Sequence, residues 1–278
     1  YASAWGYLGS TFAIQATHGG LPYDEGFRLA RSASEEALKI DPNSHLSLSG
    51  WIAMMYDRDY ELAANYYRRA LRLSPNNASV LNNGAILASK IGRTDKAIEL
   101  LTRAAKADPV SAIPHLNLAQ IHMSLGDLDE AQRATGKALE LNPNVYAAPS
   151  YLALISLLRG DPEQALSRAD EIQLEMMRPV VRSIGLYELG QVDESDQVVA
   201  SFIERHADRY AYYIAMVYAW RGETDTAFEW LNMAIDHNQD IDAIHMEPFL
   251  QNLHKDPRWE KTLSRVGLAD SQIAHIDF

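Results

Sequence analysis

Residues 63–75 read Ala63-Ala-Asn-Tyr-Tyr-Arg-Arg-Ala70-Leu-Arg-Leu-Ser-Pro75, and the way this stretch closes recurs along the chain. Ala37-Leu-Lys-Ile-Asp-Pro42, Ala70-Leu-Arg-Leu-Ser-Pro75, Ala104-Ala-Lys-Ala-Asp-Pro109 and Ala138-Leu-Glu-Leu-Asn-Pro143 share one pattern, with prolines 33, 34 and 34 residues apart. Ala30, Ala63, Ala97, Ala131 and Ala165 form a second column spaced 33, 34, 34 and 34. Gly92, Gly126 and Gly160 form a third, spaced 34 and 34. Three independent columns keeping one period define a repeat.

Each column has a physical task. The two alanine columns lie seven residues apart and therefore on one helix face. Small side chains there let neighbouring helices approach closely. Proline lacks the N–H that a continuing helix needs and restricts the residue before it, so it ends the second helix of each repeat. Glycine ends the first helix, where a positive φ is expected. Thr94 or Asp95, Asp127 or Asp129, and Asp161 before Pro162 are placed to cap the helices that follow. The repeating element is thus two antiparallel helices joined by a tight turn.

These residues resemble the tetratricopeptide (TPR) family. Trp5-Gly-Tyr-Leu8-Gly9-Ser-Thr-Phe12 fits its first-helix pattern, and Ala63, Tyr67, Ala70 and Pro75 fit its second. The fold class expected is all-α, an α-α superhelix or TPR solenoid of about seven helix-turn-helix repeats with C-terminal capping helices. The repeats parse as residues 1–44, 45–77, 78–111, 112–145, 146–175, 176–207 and 208–240. The first has a longer inter-helix loop containing His18-Gly-Gly-Leu-Pro22. The sixth is degenerate, with Pro179 in place of the large first-helix residue and no closing proline. The seventh recovers the pattern with Gly222, Ala227, Leu231 and Ala234. Residues 171–179 are the weakest stretch. Residues 241–278 read as a cap with short helices around 248–253 and 257–266, because a repeat array leaves an apolar face open at its end.

Composition narrows the function. A net charge of −12 weighs against nucleic acid as a partner. Residues 1–150 carry 14 basic and 15 acidic side chains, whereas 151–278 carry 11 and 22. That asymmetry reads as solubility or, more specifically, as a docking surface for a basic partner. No apolar run is long enough for a membrane span, so direct insertion into a membrane is not expected. Absence of cysteine excludes disulfides and thiolate chemistry. Tyr1 already sits inside a repeat motif, so the chain is expected to be part of a longer protein. The expected location is the cytoplasm, with the periplasm as the alternative.

Two stretches carry a further resemblance. Tyr56-Asp-Arg-Asp-Tyr-Glu-Leu-Ala-Ala-Asn-Tyr-Tyr-Arg-Arg-Ala70 and residues 248–267 look like segments of bacterial signalling proteins. In those proteins a TPR array follows an adenylate cyclase, a winged-helix DNA-binding domain or a kinase. The resemblance implies a regulatory or scaffolding region.

In TPR arrays the first helices line the concave groove, which here implies Tyr7, Ser49, Asn82, Asn83, Ile86, Leu116, Asn117, Gln120, Ser150 and Tyr151, together with Ala53, Ile113 and Leu154. Asn83 and Asn117 occupy one position in consecutive repeats. Their amides can donate to and accept from a peptide backbone, or can simply be bonded to a neighbouring helix. TPR domains that grip a terminal carboxylate use groove lysines and arginines, and none stands at the matching places. Arg68, Arg69, Arg72, Arg103, Lys106, Arg133 and Lys137 fall on second helices, as a solvated outer face. Tyr212, Tyr213 and Trp220, in an aromatic run with Tyr210 and Tyr218, are candidates for a subunit interface.

Chemistry is not signalled. His115 and His122 lie seven apart in packing columns and read as core histidines rather than metal ligands. His245 and His254 make no recognisable pair, and no phosphate-binding glycine loop is present. The expectation is a non-enzymatic module without cofactor or metal that binds a protein or peptide. Self-association and small-molecule sensing for an upstream effector are the alternatives.

Overall fold

A computed structural model describes residues 1–17, 20–239, 241 and 244–278; His18 and Gly19 of the first inter-helix loop lie outside the described residues. The chain is all-α among the described residues. Two compact units form, Tyr1–Ala107 with Asp270–Phe278, and Asp108–Ala269.

In the first unit the helices are α1 (Ala2–Thr17), α2 (Tyr23–Ile40), α3 (Leu46–Ile52), α4 (Tyr60–Leu73), α5 (Ala78–Lys90) and α6 (Thr94–Ala107). A π-helical turn, Ala53–Asp57, extends α3. The second unit contains α7 (Ile113–Ser124), α8 (Leu128–Leu141), α9 (Ala148–Leu158), α10 (Pro162–Arg168), α11 (Met177–Glu188), α12 (Val192–Trp220), α13 (Thr224–Asp236) and α14 (Arg258–Arg265). A short α15 (Asp270–Ile273) returns to the first unit. Each consecutive pair up to α9 and α10 is one helical hairpin, as the repeat requires.

The sequence columns explain these boundaries. α2, α4, α6 and α8 each end two residues before Pro42, Pro75, Pro109 and Pro143. Gly92, Gly126 and Gly160 have φ of 71°, 76° and 73°. The N–H after each closes back on the carbonyl five residues earlier, as in Arg93 N to Ala88 O at 2.7 Å and Asp161 N to Ser156 O at 2.9 Å. Gly190 and Gly222 do the same at φ 75° and 78°. All five alanines of the column from Ala30 to Ala165 are fully buried. Arg69 and Arg103, 34 residues apart, each donate to a proline carbonyl at the end of the preceding repeat, Pro42 and Pro75, at 2.9 Å.

Of the expected caps, Asp161 accepts from Gln164 N at 3.0 Å. Asp127 holds the cap position of α8 without a side-chain bond, and Thr94 is already the first residue of α6. Asp59 and Asn77 cap α4 and α5 through Leu62 N and Val80 N.

Where the sequence pattern fades, the second unit changes construction. α10 is only seven residues long and runs into a 3-10 turn, Ala169–Glu171. With no proline near residue 208, α12 continues for 29 residues, kinked at Tyr210 (φ −128°, ψ 32°). It supplies both the second helix of the sixth expected repeat and the first helix of the seventh. Beyond α13, the stretches expected to cap are a 3-10 helix, Pro248–Leu253, and α14. No helix among the described residues is long and apolar enough to cross a membrane.

Candidate functional site

The first unit carries a hollow of about 650 Å³ along the first helices of its hairpins. α1 contributes Tyr7, Ser10 and Ile14, α3 contributes Ser47, Leu48 and Trp51, and α5 contributes Ser79, Val80 and Asn83. Asn43, His45, Ser74 and Asn77 line it from the connecting segments, and Ala70 and Leu73 from α4. No Asp, Glu, Lys or Arg is among the described residues of its wall.

Tyr7 is 70% exposed and stands edge-on to His45, with ring centroids 5.2 Å apart. His45 lies just before α3 at φ 52°, and its Nδ1 is 2.7 Å from Ser44 Oγ. Gly6 makes this contact sterically allowed, since a Cβ there would fall 2.0 Å from the imidazole ring. Asn83 Nδ2 donates to Ser47 Oγ at 3.2 Å, linking α5 to α3, while Asn82 Nδ2 donates to Asn83 Oδ1 at 3.4 Å. Below this pair the Tyr67 phenol is wholly buried, and desolvation pushes its pKa up, out of the ordinary tyrosine range. The wall thus combines exposed aromatic and aliphatic surface with short neutral hydroxyls and amides.

The expected groove residues divide. Tyr7 and Asn83 line the hollow. Asn82 and Ile86 are half-buried on α5 beside it. Ser49 does not line it. It is buried, and its hydroxyl is 2.8 Å from Ser34 Oγ on α2. The reason is register: α3 starts four residues after Pro42, whereas α5 starts three after Pro75. Ser49 is therefore the fourth helical residue, like the buried Leu81, and Trp51 takes the place that Asn83 takes on α5. Alignment on the proline column hides Ser47 and Trp51 for this reason.

In the second unit two further expectations are corrected. Leu116 is buried in a cluster with Ala112, Ala138, Val145 and Ala148, because it faces the end of α8 and the start of α9. Ser150 is fully buried and its hydroxyl has no hydrogen-bond partner among the described residues, so it faces the core. Tyr151 packs against the Leu116 cluster. Asn117 and Gln120 are half-buried on α7.

The aromatic run is partly spent internally, with Tyr213, Tyr218 and Trp220 half-buried. Tyr212 is 2% exposed, and its ring lies 5.4 Å from that of Tyr213 in an edge contact. Trp220 Nε1 donates to Glu188 Oε1 at 2.7 Å, and its ring packs 5.0 Å from Phe249. Burial removes Tyr212 as an interface residue.

His115 and His122 are half-buried, and burial lowers the pKa of His115. No group of three or more His, Cys, Asp or Glu fit for a metal ion occurs among the described residues. A second hollow of about 810 Å³ lies between α11 and α12 and is of mixed charge. There Arg178 donates to Ile172 O at 2.6 Å, and His206 Nε2 is 3.6 Å from Glu175.

Residues 54–113 and 90–144 match the family model for the tetratricopeptide repeat. With the hairpin geometry described above, this gives residues 54–144 the tetratricopeptide-repeat pattern and the described chain the corresponding α-α solenoid fold. Among solved structures, a tetratricopeptide repeat protein from Parabacteroides merdae has a TM-score of 0.61 at 15% identity, covering 89% of this chain and 99% of its own. The type IV pilus biogenesis factor PilW has a TM-score of 0.59 at 21% identity, over 72% of this chain and 93% of its own. PilF of Pseudomonas aeruginosa gives 0.57 at 19%, over 73% and 90%. At these identities the likeness is one of fold. No curated protein sequence matches the chain.

Proposed function

We propose that the chain is a protein-interaction module whose first unit takes an uncharged, apolar-rich peptide segment in the hollow between α1, α3 and α5. The observation that carries this reading is the wall itself. Tyr7, Ile14, Trp51 and Leu73 offer apolar surface, and Ser47, Ser79 and Asn83 offer neutral hydrogen-bonding groups, with no charge among them to select a terminal carboxylate. An extended segment would bury side chains against Trp51 and Tyr7 and exchange backbone bonds with Asn83 and Ser79. Because Asn83 already donates to Ser47, peptide binding competes with a bond between helices and would be modest for a short segment.

The likeness of residues 56–70 and 248–267 to bacterial signalling proteins supports placing this module in the regulatory or scaffolding part of a larger protein. Self-association through Tyr213 and Trp220 is the weaker reading, since those rings are engaged within the second unit.

Peptides selected from a random display library against the intact chain provide the test. They should be poor in acidic and basic residues, and Trp51→Ala should weaken them at least tenfold. Asn83→Ala should weaken them less, and Asn117→Ala not at all. Selected peptides indifferent to Trp51→Ala would remove the hollow from the account.

A further inference from the structure

Asp270-Ser-Gln-Ile-Ala-His-Ile-Asp-Phe278 packs with the first unit, some 180 residues from the helices it touches. Repeat arrays are held together by contacts between neighbouring repeats. Nothing in that scheme calls for a distant nine-residue segment on α4 to α6, yet this one is specifically seated. Ile273 and Ile276 are 7% and 5% exposed. A single guanidinium nitrogen of Arg93, in the turn between α5 and α6, is 3.0 Å from Ala274 O and 3.4 Å from Ile273 O and Ile276 O. These carbonyls lie at and beyond the end of α15, where Ile273 O also accepts from Ile276 N at 3.1 Å. On α4, Arg68 pairs with Asp277 at 3.2 Å and Glu61 faces His275 at 3.6 Å.

The seat for Phe278 is the most telling feature. Gly84 lies in the middle of α5, where glycine weakens a helix relative to alanine. A Cβ at that position would meet the Phe278 ring at 3.4 Å, Leu71 at 3.6 Å and Leu100 at 3.7 Å. The Cβ itself would make ordinary contacts there, and a long side chain such as leucine would compete with the Phe278 ring for the space between α4 and α6. Glu61, Arg68 and Arg93 meanwhile present charge and donors to the segment from outside the hollow between α1, α3 and α5.

We propose that this face of α4, α5 and α6 is a second peptide-binding site, distinct from that hollow and occupied in the resting chain by residues 270–278. The ligand it fits has the chemistry of that segment: two aliphatic residues three apart, then an acidic residue and an aromatic one, with backbone carbonyls turned to Arg93. A tethered segment competes at high effective concentration, so a free peptide binds well only when the resident one is weakened.

The test uses the full chain with Ile276→Asp and Phe278→Ala, which loosen the resident segment. A fluorescent peptide of native sequence 268–278 is titrated by polarisation. Saturable binding to this variant is expected, with apparent affinity at least tenfold above that of the unaltered chain. Adding Arg93→Ala or Gly84→Leu should cut it at least tenfold. Absent saturable binding, equal binding to variant and unaltered chains, or indifference to both added substitutions would overturn the proposal. So would failure of the loosened variant to fold, since the segment would then be part of the core. As a second measurement, Gly84→Leu alone should speed hydrogen exchange in residues 273–278 while α4 and α6 keep their protection. Unchanged exchange in the segment would contradict it.

Discussion

Helices α3 to α6 and helices α10 to α12 are the same kind of hairpin built by different means. In the first set the ends are written into the backbone. Pro75 and Pro109 follow the second helices by two residues, Gly92 supplies a left-handed turn, and Ala63 and Ala97 let the helices meet. In the second set Gly190 still turns α11 into α12, but no proline closes α12, and unrepeated side-chain contacts gather along it. Phe202, His206 and Tyr210 lie within 6.3 Å of one another by ring centroid beside the kink. Arg221, whose side chain is only 3% exposed, pairs with Asp196 at 2.7 Å, reaches the Ser195 hydroxyl, and lies 5.1 Å from the Tyr187 ring. Backbone punctuation repeats and can be read from one sequence; a hub such as Arg221 occurs once and cannot.

The contrast can be broken or sharpened by substitution. Leu100→Ala, at a fully buried site in α6, should cost about 2–5 kcal/mol, read as a lowered denaturation midpoint. Should it cost under about 1 kcal/mol, the punctuated repeats would not depend on tight packing. Arg221→Met keeps length and loses the bonds to Asp196 and Ser195, for an expected cost of about 2–3 kcal/mol. A neutral result would show that α12 is held by its aromatic neighbours alone.

Two glycines separate backbone from packing. Gly160 has φ 73°, and a Cβ added there would meet no atom of the described residues within 4 Å, so Gly160→Ala should cost about 1–2 kcal/mol purely through conformation. Gly136, mid-helix in α8 with equally open space, should gain about 0.5–1 kcal/mol on Gly136→Ala. Effects of the same sign in a thermal melt would contradict the distinction.

The smallest effect concerns acid. Arg258 donates to Asp256 through both its side chain and its backbone N–H and holds that carboxyl at about 2, below its ordinary 3.8. A depressed folded pKa gives stability that is present above pH 3.8 and lost as the pH falls towards 2. Asp256→Asn should flatten that part of the acid denaturation curve; an unchanged slope would exclude the pair as its cause.

The hairpins up to α10 are legible in the sequence because proline, glycine and alanine act through backbone geometry at fixed spacing. The proposed groove is legible only in part. The repeat points to Tyr7 and Asn83 but passes over Trp51, because α3 begins one residue later after its proline than α5 does. Ser49, Leu116 and Ser150 face the core instead, because a period locates a residue on a helix without fixing which way it faces when helix starts shift. The seat for residues 270–278 has no periodic signal, since it joins segments that share no spacing.

The most direct measurement replaces Ser79 with a photo-crosslinking residue, irradiates the chain with a display-selected peptide, and maps the adducts by mass spectrometry, with the same residue at Glu130 on α8 as reference. Efficient adducts from position 79, suppressed by Trp51→Ala and absent from position 130, are the expected result. Equal yields from both positions, or adducts at 79 that survive Trp51→Ala, would contradict a peptide seat between α1, α3 and α5.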